Sequence, residues 1–457
     1  MDESHRISGA AVMAPQLDTA GIRRIEIDRL FGRYTYRIPD PSEAVSSRQL
    51  VLLYGQNGAG KTTILRMVYH ILSPEEGQGH LTFLARTPFR RFLVDLGSLS
   101  IEARRDRESA AVGSYRLSVR SPSEGRVWLI QTEASENGPV VRGADDRDGV
   151  DFHGYIGGLK LNVFMLGDDR ILHGSGSESA FHGATWFEGG VLFRTSDQSF
   201  PRRHRSRLDD EDPRDIALAG SVGRFEVWLR KKRYAAARQS ETDTHTIYAK
   251  LARHILSGSE RSQSTQELSR RLLELARQNA EMAKYGLLSP AEVDDLVRTL
   301  GAAPPEKQGI LSEILSPYVS GLASRIEAQE ETFRLISRFS DRLNSFFVDK
   351  SVSLDATEGL KLFAEPGHHP LEKSMLSSGE KQLLTLLCNA MATRDVSSIF
   401  IIDEPELSLN VTWQRKLIQT LLECVEGSSG QFLMASHSVE LFAHYRTYVS
   451  RLDSVSR

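Results

Sequence analysis

The stretch "LLYGQNGAGKTTIL", residues 52–65, decides how the rest of the chain is read. The apolar run "QLVLLYG" (49–55) has the character of a strand buried on both faces. It breaks into Gly55, Gly58 and Gly60, followed by Lys61 and Thr62. A helix is then expected over residues 63–73, with Ile64, Leu65, Val68 and Leu72 on one side. The spacing is G-x-x-x-x-G-K-[ST]. Glycine lets a loop close around a large, multiply charged polyphosphate with backbone N–H groups, because φ can turn positive and no side chain intrudes. The helix that follows presents a positively polarised N-terminus. Lys61 adds a full charge near the β- and γ-phosphates, and Thr62 offers a hydroxyl to Mg²⁺. Asn57, Gly58 and Thr63 are counted with the same nucleotide-binding loop, and Lys61 also with the catalytic groups.

Three later stretches supply what such a loop lacks. "IFIIDEPE" (399–406) is an apolar run ending in two carboxylates. Asp403 is expected to hold Mg²⁺, and Glu404 to orient and activate the attacking water. "FLMASHS" (432–438) ends another buried run on His437, placed to contact the γ-phosphate or that water. A histidine at a strand end also fits an ordinary hydrogen-bonding role. "LSSGEKQ" (376–382) puts Ser377 and Gly379 just before an apolar helix, at another positively polarised N-terminus. Taken alone, Ser377 with Glu380 three residues on reads as a capping box. The order of the four stretches is what argues for a binding role, and Ser377, Gly379 and Glu380 are grouped with the nucleotide-binding residues.

Composition bounds the class. The 457 residues carry 26% charged and 40% apolar side chains, as a globular protein does, with a net charge of -3 that makes no global case for nucleic acid. Cys388 and Cys424 cannot build a disulfide framework and read as buried thiols in a reducing compartment. No apolar run is long enough to span a membrane, and the N-terminal residues lack the pattern of a signal peptide, so a cytoplasmic protein with no membrane association is expected.

Along the chain, "IRRIEIDRLFGRYTYRI" (22–38) alternates like a hairpin, and 115–121, 126–134 and 161–170 read as further strands. Five segments follow: a tail (1–20), an N-terminal α/β lobe (21–172), an irregular charged region (173–220), a helical arm (221–348) and a C-terminal α/β lobe (349–457). Prolines 290, 304, 305 and 317 are expected to cut the arm into several modest helices. Even a helix of about 35 residues spans only about 50 Å.

On "GQNGAGKT", "LSSGEKQ", "IFIIDEPE", "LSLN" and "SHS" the chain resembles ABC-type ATPases of the RecF/SMC/OLD group. The fold class so implied is α/β, an ABC-type P-loop NTPase domain split by a helical, short coiled-coil-like insertion. The resemblance implies that two copies sandwich two ATP molecules head to tail, each site taking Lys61 and Thr62 from one chain and Ser377 and Gly379 from the other. Ser408 and Leu409 would then lie near the seam. Asn410 stands where many relatives have histidine. "LGDDR" (166–170) resembles a motif near the site in this group, which would bring Asp168, Asp169 or Arg170 to the nucleotide; an exposed charged strand end fits as well. Few residues follow His437, so the nuclease domain of OLD-type proteins is not expected and a separate effector protein is. "RLFGRYTY" and "DEPELSLNVTWQRKL" look like the ATPases of bacterial anti-phage systems such as PARIS and of retron-linked and Septu-like systems. A RecF-like DNA clamp, with "RRHRSR" (202–207) and "RKKR" (230–233) on phosphates, and an ATP-stabilised scaffold with little turnover remain as alternatives.

Overall fold

Alternating apolar and polar side chains make a hairpin of the first segment. Strand β1 (Arg24–Leu30) pairs antiparallel with β2 (Tyr34–Ile38), burying Ile25, Ile27 and Leu30 while Arg24 and Arg29 stay in solvent. The structure is a computed structural model, and it describes residues 21–39, 49–105, 111–122, 125–141, 147–167, 172–175, 212–257, 265–289, 291–407, 409–438 and 444–452. After β3 (Leu50–Tyr54) come α1 (Lys61–Leu72) and α2 (His80–Arg86), then β4 (Arg91–Asp95), β5 (Ser100–Arg104), β6 (Tyr115–Arg120) and β7 (Gly125–Ile130). These build an antiparallel sheet in the order β2-β1-β4-β5-β6-β7. A small hairpin, β8 (Thr132–Ser135) and β9 (Gly138–Val141), precedes α3 (Arg147–Gly158), β10 (Asn162–Leu166) and β11 (Leu172–Ser175).

Among the described residues four helices come next: α4 (Pro213–Ser257), α5 (Thr265–Ala283), α6 (Ala291–Ala302) and α7 (Pro305–Asn344). A three-stranded antiparallel sheet follows, β12 (Lys350–Asp355), β13 (Gly359–Ala364) and β14 (His369–Leu371), then α8 (Ser378–Ala392). The described chain closes with β15 (Ser398–Asp403), α9 (Val411–Val425), β16 (Gly430–Ala435) and β17 (Val449–Arg451).

The second large sheet joins both ends of the chain in the order β11-β10-β15-β16-β3-β17. Its members run parallel except for β11 at the edge. Every residue of β10, β15 and β16 is buried, which explains their unbroken apolar character. Helix α1 packs against β10, β15 and β16, with Ile64, Leu65, Val68, Ile71 and Leu72 in one core that also takes in the inner face of the antiparallel sheet.

The chain divides into two compact units, residues 1–217 with 393–457, and residues 218–392. The C-terminal lobe expected over 349–457 is therefore split, and β12–β14 and α8 belong with the helices. The reason is a set of polar anchors: Asn344 brackets Val352 through its N–H and carbonyl, Leu360 N–H donates to Glu226, and Ala356 N–H donates to the Tyr285 carbonyl.

The helices are also longer than the modest ones expected: α4 has 45 residues with no proline past its first residue, and α7 has 40 in spite of one inside it. At about 1.5 Å per residue they reach roughly 68 and 60 Å. Pro304 and Pro305 do open α7, where a missing N–H does no harm, but Pro317 lies inside it. Val319, Leu322 and Ile326 are buried just beyond Pro317, and that packing carries the helix past the lost hydrogen bond. On α4, Leu218, Val222, Phe225 and Leu229 form the matching buried stripe, with Phe225 set against Phe339 of α7. Among the described residues no helix is long and apolar enough to cross a membrane.

Candidate functional site

The strand register assembles the site. Asp403 pairs with Ala435 and Ala435 with Leu53, so β15, β16 and β3 end level with one another. The loop after β3, the carboxylates after β15 and the histidine after β16 thus emerge side by side at the C-terminal edge of a parallel sheet, where such sheets place ligands.

The three glycines of the loop serve different needs. Gly58 (φ 82°) has open space around it and supplies only a left-handed turn. Gly60 (φ 88°) supplies the turn and also clearance: a Cβ there would stand 2.9 Å from Leu30 Cδ2. At Gly55 the constraint is space alone, since a Cβ would come within 3.0 Å of Leu452 Cβ. The Tyr36 hydroxyl props the loop by donating to the Ala59 carbonyl at 2.9 Å. Gly60 is the N-cap of α1 and has no side chain to cover the first turn, so the N–H groups that would meet an anion are left accessible. Asn57 lies in the turn, and Thr62 and Thr63 are half-buried on that first helical turn.

Lys61 is 6% exposed, and its ammonium donates to the carbonyls of Gly55 (2.8 Å) and Gln56 (3.3 Å), so it lies along the loop. Burial pulls its pKa below the usual lysine value, against the opposing pull of Glu404, Asp403 and Glu406. Lysine and carboxylates therefore share one electrostatic neighbourhood.

Asp403, 5% exposed, is the last residue of β15. Glu404 continues the ladder by donating its N–H to the Ala435 carbonyl at 2.8 Å, then turns the chain with φ at 48°. A left-handed non-glycine residue costs about 1–3 kcal/mol and persists where its surroundings enforce it. Here the turn brings Glu404 Oε1 within 3.5 Å of His437 Nε2, both side chains being about one-third exposed. Glu406, which the sequence reading passes over, bonds to the loop carrying His437: its Oε1 accepts from the Ser436 hydroxyl and from the N–H groups of His437 and Ser438. The doubled acid of "DEPE" is the only sequence signal that could have marked it. Asn410, the departure from the usual histidine, caps α9 by accepting from Trp413 N–H at 2.9 Å.

Ser377, Gly379 and Glu380 lie in the other unit, at the start of α8. The capping box forms: Ser377 N–H donates to Glu380 Oε2 (2.7 Å) and Glu380 N–H to the Ser377 hydroxyl (3.4 Å). Lys350 takes Glu380 Oε1 at 2.8 Å. Burial alone would raise the Glu380 carboxyl, but the bonds from Lys350 and Ser377 outweigh it and leave it below its ordinary value. Both oxygens of Glu380 are therefore engaged by its own turn and by Lys350, so it braces the turn, whereas Ser377 is exposed. Asp168, Asp169, Arg170 and Ser408, and the basic run 202–207, lie outside the described residues.

For a metal, the chain offers the Thr62 hydroxyl and the Asp403 carboxylate. Among the described residues no group of three or more His, Cys, Asp or Glu could hold an ion. Two hard oxygen donors, with phosphates and water to fill the remaining positions, are what Mg²⁺ takes in nucleotide sites, so the donor set fits it.

The family described as "AAA domain, putative AbiEii toxin, Type IV TA system" matches residues 196–443. The family described as "ABC transporter" matches residues 39–104. The second match holds the glycine loop, the first the carboxylates and His437. The zinc import ATP-binding protein ZnuC of Brucella melitensis is 40% identical over 74 residues, 16% of this chain and 22% of that protein. The matched part thus spans about a fifth of that relative's length. Among solved structures, the Smc head domain of Pyrococcus furiosus with an extended coiled coil, bound to the C-terminal domain of ScpA, is 16% identical with a TM-score of 0.35, covering 95% of this chain and 96% of that one. The SMC head domain from Thermotoga maritima is 12% identical with a TM-score of 0.29, covering 93% and 91%.

Proposed function

The chain belongs to the family described as "AAA domain, putative AbiEii toxin, Type IV TA system", it is an ABC/AAA-type P-loop ATPase in its domain make-up, and we propose that it hydrolyses ATP in a head-to-tail dimer that switches a separate effector. The observation that carries this reading is the level register of Asp403, Ala435 and Leu53, which gathers loop 55–62, Glu404 and His437 at one sheet edge.

In this reading Gly55, Asn57, Gly58 and Gly60 surround the triphosphate with backbone N–H groups, and Lys61 and Thr63 add to its grip. Thr62 and Asp403 would hold Mg²⁺, which when bound neutralises phosphate charge. Glu404 orients the attacking water and accepts its proton, while His437 reports on the γ-phosphate from beside it. Ser377 and Gly379 of a second copy close over the nucleotide; the exposure of Ser377 supports that role.

The switch reading is supported by the long helices α4 and α7, which give the ATPase somewhere to display a nucleotide-dependent change. The resemblance to PARIS-like ATPases points to anti-phage defence, and a family description that names a toxin–antitoxin system fits an ATPase paired with an effector. A DNA clamp is less well supported. In "RKKR" Arg230 turns back to the Glu226 carbonyl, Lys232 lies over Trp228 and Arg233 donates to Thr357, so three of the four cations have local partners.

The test is Glu404→Gln beside Lys61→Ala. Glu404→Gln should bind ATP, accumulate as a dimer in light scattering, and lose turnover by about 10²–10⁴-fold; Lys61→Ala should lose ATP binding. Wild-type turnover in Glu404→Gln would overturn the assignment. Effector control that survives that substitution intact would favour the scaffold.

A further inference from the structure

His437 sits on a loop after β16, and a loop histidine is aimed only as well as its backbone is held. Glu406 Oε1 accepts three bonds from that loop, from Ser436 Oγ at 2.6 Å, His437 N at 2.9 Å and Ser438 N at 3.1 Å. Glu406 Oε2 is buried and takes no hydrogen bond among the described residues, so the carboxylate addresses the loop through a single oxygen. The base it reaches from is itself fixed: Leu407 N–H donates to the Glu404 carbonyl and Leu409 N–H to that of Glu406. On the far side the Ser438 hydroxyl donates to Gln414 Oε1 (3.0 Å), and Gln414 Nε2 donates to the Leu409 carbonyl (3.0 Å). Residues 436–438 are thus held between the turn after β15 and the first turns of α9.

We infer that Glu406 is a positioning residue, whose one carboxylate oxygen fixes residues 436–438 so that the His437 ring meets Glu404. The inference rests on hydrolysis at this site. His437 is anchored at its N–H by Glu406 and its ring stands 3.5 Å from Glu404, so one acid of the turn holds the backbone of the residue whose ring faces the other. A change in the reach of Glu406 moves the backbone of His437 and leaves Gly55–Thr62 untouched.

Glu406 also contributes its charge to the field at Lys61, so reach and charge must be separated. Glu406→Asp keeps the charge and shortens the arm by one methylene. Glu406→Gln keeps the arm and an acceptor oxygen but drops the charge. We expect Glu406→Asp to lower kcat about tenfold or more with KM for ATP within about twofold. Glu406→Gln should stay within about threefold of wild type in both. Hydrogen–deuterium exchange should show the His437 and Ser438 amides slow in wild type, fast in Glu406→Asp and slow in Glu406→Gln. Wild-type kcat in Glu406→Asp, an equal loss in Glu406→Gln, or fast exchange at those amides in wild type would overturn the inference. Glu404→Gln run alongside separates the two ideas. If it is inert while Glu406→Asp is unaffected, only the positioning role falls; if it turns over normally, the hydrolytic site itself is misassigned.

Discussion

Gly60 shows how much of the site a single residue determines. It is the N-cap of α1, sits at φ 88° and has no room for a Cβ beside Leu30. Gly60→Ala should therefore cost about 1–3 kcal/mol of stability, and weaken ATP binding about tenfold or more as the first-turn N–H groups swing away. Chemical denaturation and calorimetric titration with ATP would measure both, and unaltered affinity would refute the role given to this glycine. Residues of this kind are legible because backbone geometry restricts them to one amino acid at a fixed spacing. Glu406 was not legible for the opposite reason. Its importance comes from Ser436–Ser438, partners that are near in space through the pairing of β15 with β16 but distant in sequence. Glu380 shows a local pattern fulfilled locally: the capping box is real, and it uses the carboxylate that the motif order had given to nucleotide.

Among elements, the junction of α1, α2 and α3 holds three histidines that have no part in the site. His70 Nδ1 meets His80 Nδ1 at 2.8 Å, so one ring must donate and the other accept. His153 Nδ1 lies 3.2 Å from the Ser73 carbonyl. Burial, with His80 and Arg66 adding to it, pushes His70 down to about 3, and burial lowers His153 as well. The unfolded chain protonates such histidines near pH 6.5 while the folded chain refuses the proton, so stability is complete above that value and falls as pH drops from about 6.5 toward 3. For His70 the loss between pH 7 and pH 5 is roughly 2 kcal/mol. His70 stacks on Phe83 at 4.2 Å, a place that a phenyl ring can fill. His70→Phe should therefore narrow the gap between melting temperatures at pH 7 and pH 5, and an unchanged gap would contradict the burial argument. Elements also mark where sequence patterns fail. Strands β4 and β5 each have only five residues, β4 with charge at both ends and β5 with Glu102 in its middle and Arg104 at its end; neither stands out as a strand in the sequence, though β6 and β7 in the same sheet do. The length of α7 was hidden because a proline reads as a stop until the packing beyond it is known.

At the scale of the whole molecule, the order of motifs along the chain foretold that its two ends share one sheet, since neither half carries both the loop and the carboxylates. It did not foretell where the second unit begins. Glu226 reaching Leu360, and Asn344 bracketing Val352, are side-chain-to-backbone ties without a sequence signature. The sheet edge offers a direct trial. Strand β17 pairs with β3, Leu452 N–H donates to the Tyr54 carbonyl at 2.7 Å, and the Leu452 side chain closes on Gly55. Removing residues 444–457 should abolish ATP binding while helical circular dichroism largely persists, because α4–α7 belong to the other unit. Normal affinity in the truncated chain would show that β17 is dispensable to the loop.

Strand β3 lies between β16 and β17, both drawn from the far end of the chain. A ribosome therefore releases the phosphate-gripping turn hundreds of residues before either flank of its strand exists. Until β16 emerges that apolar strand has two open edges, the kind of segment that aggregates or recruits chaperones. Nucleotide cannot select for correct folding until β16 has emerged, and ribosomes stalled anywhere before β16 should yield nascent chains that no ATP resin retains.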